Sequence, residues 1–266
     1  LLVSLGDILI TFVLVTGITY FLGLTLNLAI ILGILAMTVS PSGVYAIIKE
    51  YGAKGVFTKN ILAIVAMDNL ICIILFGLAT AVLVGIETAS ISGMDLVIVL
   101  SKEIGFAILI GIFTGLILSF VTRKKQNNNK FLVFLLGIIL LNTGLAVELQ
   151  LSALLINIVS GAVVTNAINR KFILASTLER VELPIFVIFL TLAGAKLDIH
   201  VLSSVGLIGG AYIVARLLGK ILGTYIGSGF TTLPRNIRNN LGIALTPQAG
   251  VAIGLSIIAE QKLASS

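Results

Sequence analysis

Charge is what this chain has least of. Only 11% of its 266 residues are Asp, Glu, Lys or Arg, against roughly 25% in soluble domains. A chain so short of charge cannot cover a water-facing surface, which excludes the soluble globular class. Cysteine occurs once, as Cys72 inside an apolar run, so disulfides and thiolate metal sites are excluded as well. His200, the one histidine, stands alone at an outer loop and offers no imidazole cluster. What the chain has instead is 58% hydrophobic residues and a mean hydropathy of +1.20. The apolar residues come in runs of about 20, the length of a membrane helix, and not in the alternating segments of about 10 that build a barrel. The chain therefore reads as an all-α integral membrane protein.

Nine spans are predicted, at 8–25, 28–49, 60–86, 96–122, 131–147, 150–168, 182–197, 202–228 and 239–260. The net charge of +6 does not indicate nucleic acid, because the basic residues sit in short loops between spans. Lys49, Lys54 and Lys59 fall in one loop, and Arg123, Lys124, Lys125 and Lys130 in the next but one. Arg170, Lys171 and Arg180, then Arg235 and Arg238, fill the following alternate loops, so twelve of the seventeen Lys and Arg lie on one side. The positive-inside rule makes that side cytoplasmic, which places loops 50–59, 123–130, 169–181 and 229–238 inside a multi-pass inner (plasma) membrane protein. Leu1 to Asp7 shows neither a basic n-region nor a cleavage site, so no signal peptide is expected.

Two spans are interrupted. Pro41 beside Ser40, Ser42 and Gly43 should break the hydrogen-bond ladder of 28–49, and Pro247 with Thr246, Gln248 and Gly250 that of 239–260. A proline alone often only bends a membrane helix. Two similar breaks in spans of opposite direction, each with hydroxyl or amide side chains beside it, fit an inverted-repeat transporter. Ionisable residues well inside spans are expected at Asp68, Arg216 and Lys220. Asp68, Lys220 and both prolines lie about 12–13 Å from their cytoplasmic ends at 1.5 Å per residue. Charges at that depth are costly and functional by default. Asp68 and Lys220 could also form a purely structural pair, and Arg216 could simply anchor unwound carbonyls. Asn69 points about 100° away from Asp68 and offers a carbonyl oxygen but no titratable proton. Gly111-x-x-x-Gly115 and Gly219-x-x-x-Gly223-x-x-x-Gly227 predict close helix packing.

Ala66-Met67-Asp68-Asn69-Leu70, then Leu218-Gly219-Lys220-Ile221-Leu222-Gly223, then Leu245-Thr246-Pro247-Gln248-Ala249-Gly250-Val251 appear in this order and spacing. With Ser40-Pro41-Ser42-Gly43-Val44 they make the chain resemble the bacterial sodium/proton antiporters of the monovalent cation:proton antiporter superfamily. The resemblance covers nearly the whole chain. It implies an inverted-repeat antiporter bundle with two crossing discontinuous helices, core elements at 28–86 and 202–260, and intervening and dimerisation-type helices at 96–197. It implies exchange of Na+, or K+ or Li+, for H+, no cofactor, no enzymatic activity, and a homodimer when complete. The ion site would comprise Asp68, Asn69, Thr38, Ser40, Ser42, Thr246 and Gln248, with Lys220 and Arg216 as charge partners and Pro41, Gly43, Pro247 and Gly250 as helix breaks. Lys220 would pair Asp68 while the site is empty and release it to sodium.

Two departures stand out. The family's acidic pair is Asp-Asp or Asn-Asp, whereas here Asp68-Asn69 puts an amide where the titrating carboxylate is expected. Either Asp68 has taken over, or the chain is an inactive homologue or an altered variant. The family's members also have about a dozen spans, so a chain incomplete at both ends is expected. Rival readings are a potassium-efflux or organic-anion transporter on the same architecture and a non-transporting sensor. An intramembrane aspartyl protease is set aside because Asp68 is taken as the only aspartate at depth.

Overall fold

Backbone groups that cannot reach water must bond within their own segment, and among the described residues every regular element is a helix. The computed structural model describes residues 1–87, 93–122, 128–149, 151–167 and 199–264, with scattered positions from 181 to 195. The helices are α1 (Leu2–Phe21), α2 (Leu26–Met37), α3 (Pro41–Glu50), α4 (Val56–Glu87), α5 (Gly93–Thr122), α6 (Asn128–Glu148), α7 (Ala153–Ala167), α8 (Ile199–Gly229), α9 (Arg235–Ala244) and α10 (Gly250–Ala264). Among the described residues six stretches are long and apolar enough to cross a membrane, one of them α2 and α3 taken together as Leu26–Glu50. Of the remaining expectations, the span at 182–197 and the loops at 123–127 and 169–180 lie wholly or largely outside the described residues.

The chain divides into two units, one formed by Leu1–Ser90 with Asp198–Ser266 and the other by Ile91–Leu197. In the second, α5 lies against α7 through Gly111 and Gly115. A Cβ on Gly111 would stand 2.7 Å from the Ile156 carbonyl oxygen, and one on Gly115 2.8 Å from that of Ser160. Leu118, Phe131, Leu135 and Val164 form the core of this unit, and Asn142 donates to Asn157 at 3.0 Å between α6 and α7.

The first unit is built on a longer seam of the same kind. Gly219, Gly223 and Gly227 of α8 face Thr11, Gly6 and Val3 of α1 in register, and a Cβ on Gly223 would come within 2.6 Å of the Gly6 carbonyl oxygen. Small residues let two backbones approach where lipid supplies no hydrophobic drive to bring them together. On the far side of α8, Gly242 of α9 sits so close that a Cβ would meet Ile221 Cα at 2.5 Å. The residues turned away from these seams, such as Leu9, Val13 and Phe21 of α1 and Leu207, Ile213 and Val214 of α8, are exposed and apolar. That is the inside-out arrangement a bilayer permits.

Of the boundaries that differ from the expectation, two matter most. The first span begins at Leu2, six residues before the predicted start at 8, and so encloses Asp7. Asp7 does not end the helix because its carboxylate is matched inside the protein. The first break covers Thr38–Ser40, not Ser40–Gly43. Pro41 opens α3 at a position where its missing N–H costs nothing, Ser40 caps it, and Gly43 lies within its first turn. Pro41 and Gly43 are therefore not break residues. The second break covers Thr246–Ala249, so Pro247 lies in it while Gly250 starts α10.

Candidate functional site

A helix that ends inside a membrane leaves its last carbonyls without intrahelical partners and a partial negative charge of about one half at that end. Both α2 and α9 end this way, and their unwound continuations meet. The Ser40 N–H donates to the Pro247 carbonyl at 2.8 Å. The Ser40 hydroxyl accepts from the Gly43 N–H at 3.1 Å and so caps the outgoing half-helix.

Arg216 gathers the free carbonyls from both breaks. Its Nε donates to Ala36 at 3.1 Å, Nη2 to Thr38 at 2.9 Å and Nη1 to Thr246 at 2.7 Å. Gln248 adds a neutral group: its Nε2 lies 2.9 Å from the Leu35 carbonyl, 3.0 Å from the Tyr212 hydroxyl and 3.2 Å from Thr38 Oγ1, three acceptors for two N–H groups. Tyr212 and Gln248 also line a depression of about 290 Å³ with Leu32, Leu35, Ala252 and Ser256. The hydroxyls of Thr38 and Thr246 are turned onto their own helices, donating to Leu35 and Ile243, each at 2.8 Å. Ser42 Oγ lies 3.3 Å from Ser40 Oγ. Of the predicted set, the structure thus joins Arg216, Gln248, Thr38 and the Thr246 backbone into one stitch, whereas the Ser42 and Thr246 side chains are held locally.

Asp68 and Lys220 are both fully buried, and Lys220 has a partner that sequence reasoning missed. Its Nζ is 2.7 Å from Asp7 Oδ2 and 3.5 Å from Asp68 Oδ2, and it also donates to the Met37 carbonyl at 2.7 Å. Asp7 is as buried as the other two and accepts from the Thr11 hydroxyl at 3.2 Å. Asp68 Oδ1 accepts from the Ser4 hydroxyl, also on α1. The expectation that Asp68 is the only aspartate at depth is therefore corrected: among the described residues there are two, with one ammonium against both. The signal was present in the sequence, since Leu1 to Leu5 is as apolar as the rest of the span.

Asn69 points where its 100° offset predicts. Its Nδ2 donates across to the Val39 carbonyl in the first break at 2.7 Å and to the Val65 carbonyl at 2.9 Å. Because carbonyls only accept, these bonds fix the amide's orientation and leave Oδ1 free. Asn69 Oδ1 and Asp68 Oδ2 are both buried without a hydrogen-bond partner. Consecutive residues thus present two oxygens without hydrogen bonds beside the crossing, Asn69 Oδ1 neutral and Asp68 Oδ2 facing Lys220 Nζ at 3.5 Å. Buried acceptors without a hydrogen bond cost about 1–3 kcal/mol each, and a cation or a proton would relieve that cost.

The family model described as "Sodium/hydrogen exchanger, transmembrane" matches residues 1–266. No curated protein matches the chain.

Proposed function

Because the chain belongs to the sodium/hydrogen exchanger family, a family of membrane transporters that pass a cation against protons, we propose that it exchanges Na+ for H+ by alternating access. One site at the crossing serves both ions, with K+ or Li+ as the next candidates. The observation that carries this reading is the pair of buried oxygens without hydrogen bonds, Asp68 Oδ2 and Asn69 Oδ1, next to the two unwound segments. Asp68 supplies the negative charge and is the group that takes either the cation or the proton. Asn69 contributes a neutral oxygen while tethering the break through Val39. Competition for one carboxylate couples the two fluxes without further machinery.

The crossing supplies the means of movement. Half-helices joined by short extended segments can tilt about those segments, as discontinuous helices do in inverted-repeat transporters. Arg216 and Gln248 keep the segments together while they do so. In this reading Ser40, Thr38 and the Thr246 carbonyl shape the path, and the Ser42 and Thr246 hydroxyls are peripheral. The reading carries with it a plasma-membrane location with 50–59 and 229–238 facing the cytoplasm.

Asp68→Asn tests it. In proteoliposomes with an imposed sodium gradient, the variant should lose sodium-dependent proton movement entirely while keeping the wild-type melting temperature to within a few degrees. Exchange retained at wild-type rate would show that the ions ride elsewhere. A wild-type protein that moves potassium but ignores sodium would favour the potassium-efflux reading of the same site.

A further inference from the structure

Three charged groups are sealed together between α1, α4 and α8: Asp7, Asp68 and Lys220, none with any exposure. With all three ionised, two carboxylates against one ammonium leave a single negative charge, and the arrangement is unequal. Lys220 stands 2.7 Å from Asp7 but 3.5 Å from Asp68. Asp7 has both oxygens engaged, Oδ2 by Lys220 and Oδ1 by Thr11. Asp68 has Oδ1 held by Ser4 while Oδ2 has no hydrogen bond.

The other ionisable groups nearby do not cancel the remaining charge. Arg216 spends Nε, Nη1 and Nη2 on three carbonyls at the ends of α2 and α9, where two helix C-termini of about half a charge each offset it. Cys72 donates to the Ile34 carbonyl at 3.2 Å, and Tyr212 is bonded to Gln248.

We propose that Asp7 is the resident counter-ion of Lys220, that it holds the lysine through the whole cycle, and that the exchanger consequently moves one sodium for one proton without net charge transfer. This rests on the exchange reading above and revises the lysine's part in it. Lys220 is not the group that Asp68 takes up when sodium leaves. Asp7 keeps it occupied, so Asp68 stays one charge short and must bind a cation or a proton before the site can cross the membrane. Each loaded state is then neutral. Asp7 is a positioning residue acting through Lys220, and it takes over from α1 the second carboxylate that Asn69 lacks.

The proposal predicts a charge-complementation pattern in the full chain reconstituted in vesicles with the membrane potential clamped. Wild-type exchange should be indifferent to the imposed potential. Asp7→Asn releases Lys220 to Asp68, so sodium must displace an ammonium, and the sodium concentration for half-maximal exchange should rise roughly tenfold or more. Removing the lysine as well, in Asp7→Asn/Lys220→Met, leaves Asp68 as the one charge and should bring that concentration back towards the wild-type value. A purely structural pair predicts the opposite, a double variant no better than the single. That result would overturn the proposal, as would wild-type exchange that speeds or slows with potential. If Asp7→Asn does not yield folded protein, the potential measurement on the wild type decides by itself. Absence of any sodium-dependent proton movement in the wild type would instead sink the exchange reading on which the proposal rests.

Discussion

Arg216 shows how one residue can hold two broken helices together. Its guanidinium is a planar fork of donors, and here three nitrogens reach the carbonyls of Ala36 in the last turn of α2 and of Thr38 and Thr246 in two unwound segments far apart in sequence. The sequence places it one turn from Lys220, and the alternative that it merely anchors carbonyls describes its contacts. Lysine at this position has its three donors on one nitrogen and could not span carbonyls in both segments as the fork does. Arg216→Gln should therefore lower stability by roughly 3 kcal/mol or more, each lost charge-assisted bond being worth about 1.5–3 kcal/mol, and Arg216→Lys should recover only part of it. Thermal melts of the two variants in detergent would check this, and a Lys variant as stable as wild type would refute it. Asp68, Asn69 and Lys220 are legible in sequence because a charge or amide in an apolar run is conspicuous. Asp7 is less conspicuous: the apolar Leu1 to Leu5 before it is the one sign that the run continues, and near the start of a run a helix boundary and an enclosed carboxylate look alike until the partner is known.

Glycine spacing is the most readable feature at the level of elements. The four-residue repeat of Gly219, Gly223 and Gly227 predicts a close helix contact, and α1 fills it. Sequence could not name the partner, since the contact surface on α1 is made by Thr11, Gly6, Asp7, Leu2 and Val3, and only one of these is glycine. The breaks were legible as pairs but misplaced at the first, because proline can stop a helix or open one, and capping by Ser40 decides for opening. The seam also positions chemistry. A Cβ on Gly223 would stand 2.6 Å from the Gly6 carbonyl oxygen and 2.7 Å from Asp7 Cα, and those are backbone atoms that cannot swing aside. Gly223→Ala should push α1 off α8, cost about 1–3 kcal/mol as overpacking does, and raise the sodium requirement of exchange by drawing Asp7 from Lys220. Gly209→Ala, on the same helix with nothing within 4 Å of its Cβ, should change neither. Equal effects from the two substitutions would show that helix propensity, not the seam, is responsible.

Orientation belongs to the whole molecule, and here sequence and structure bear on it independently. The positive-inside rule groups 50–59 with 229–238 by charge alone. In the first unit, one apolar cluster gathers Ile48 of α3, Phe57 of α4, Leu233 before α9 and Ile237 of α9 around Val3, Val44 and Leu241. The turn at 51–55 and the turn at 230–234 therefore share one end of that unit, while α1 runs from this end to the turn at Gly23–Thr25. Lys54, Thr232 and Thr25 are all exposed, and Cys72, the one cysteine, is fully buried, so an impermeant maleimide should meet little background. In intact cells Thr25→Cys should be labelled from outside, whereas Lys54→Cys and Thr232→Cys should be protected and become reactive together once the membrane is opened. Labelling of Lys54→Cys and Thr232→Cys from opposite sides would contradict the fold of this unit. Labelling of both from outside would leave the fold intact and reverse the topology, and with it the direction in which a sodium gradient drives protons through Asp68.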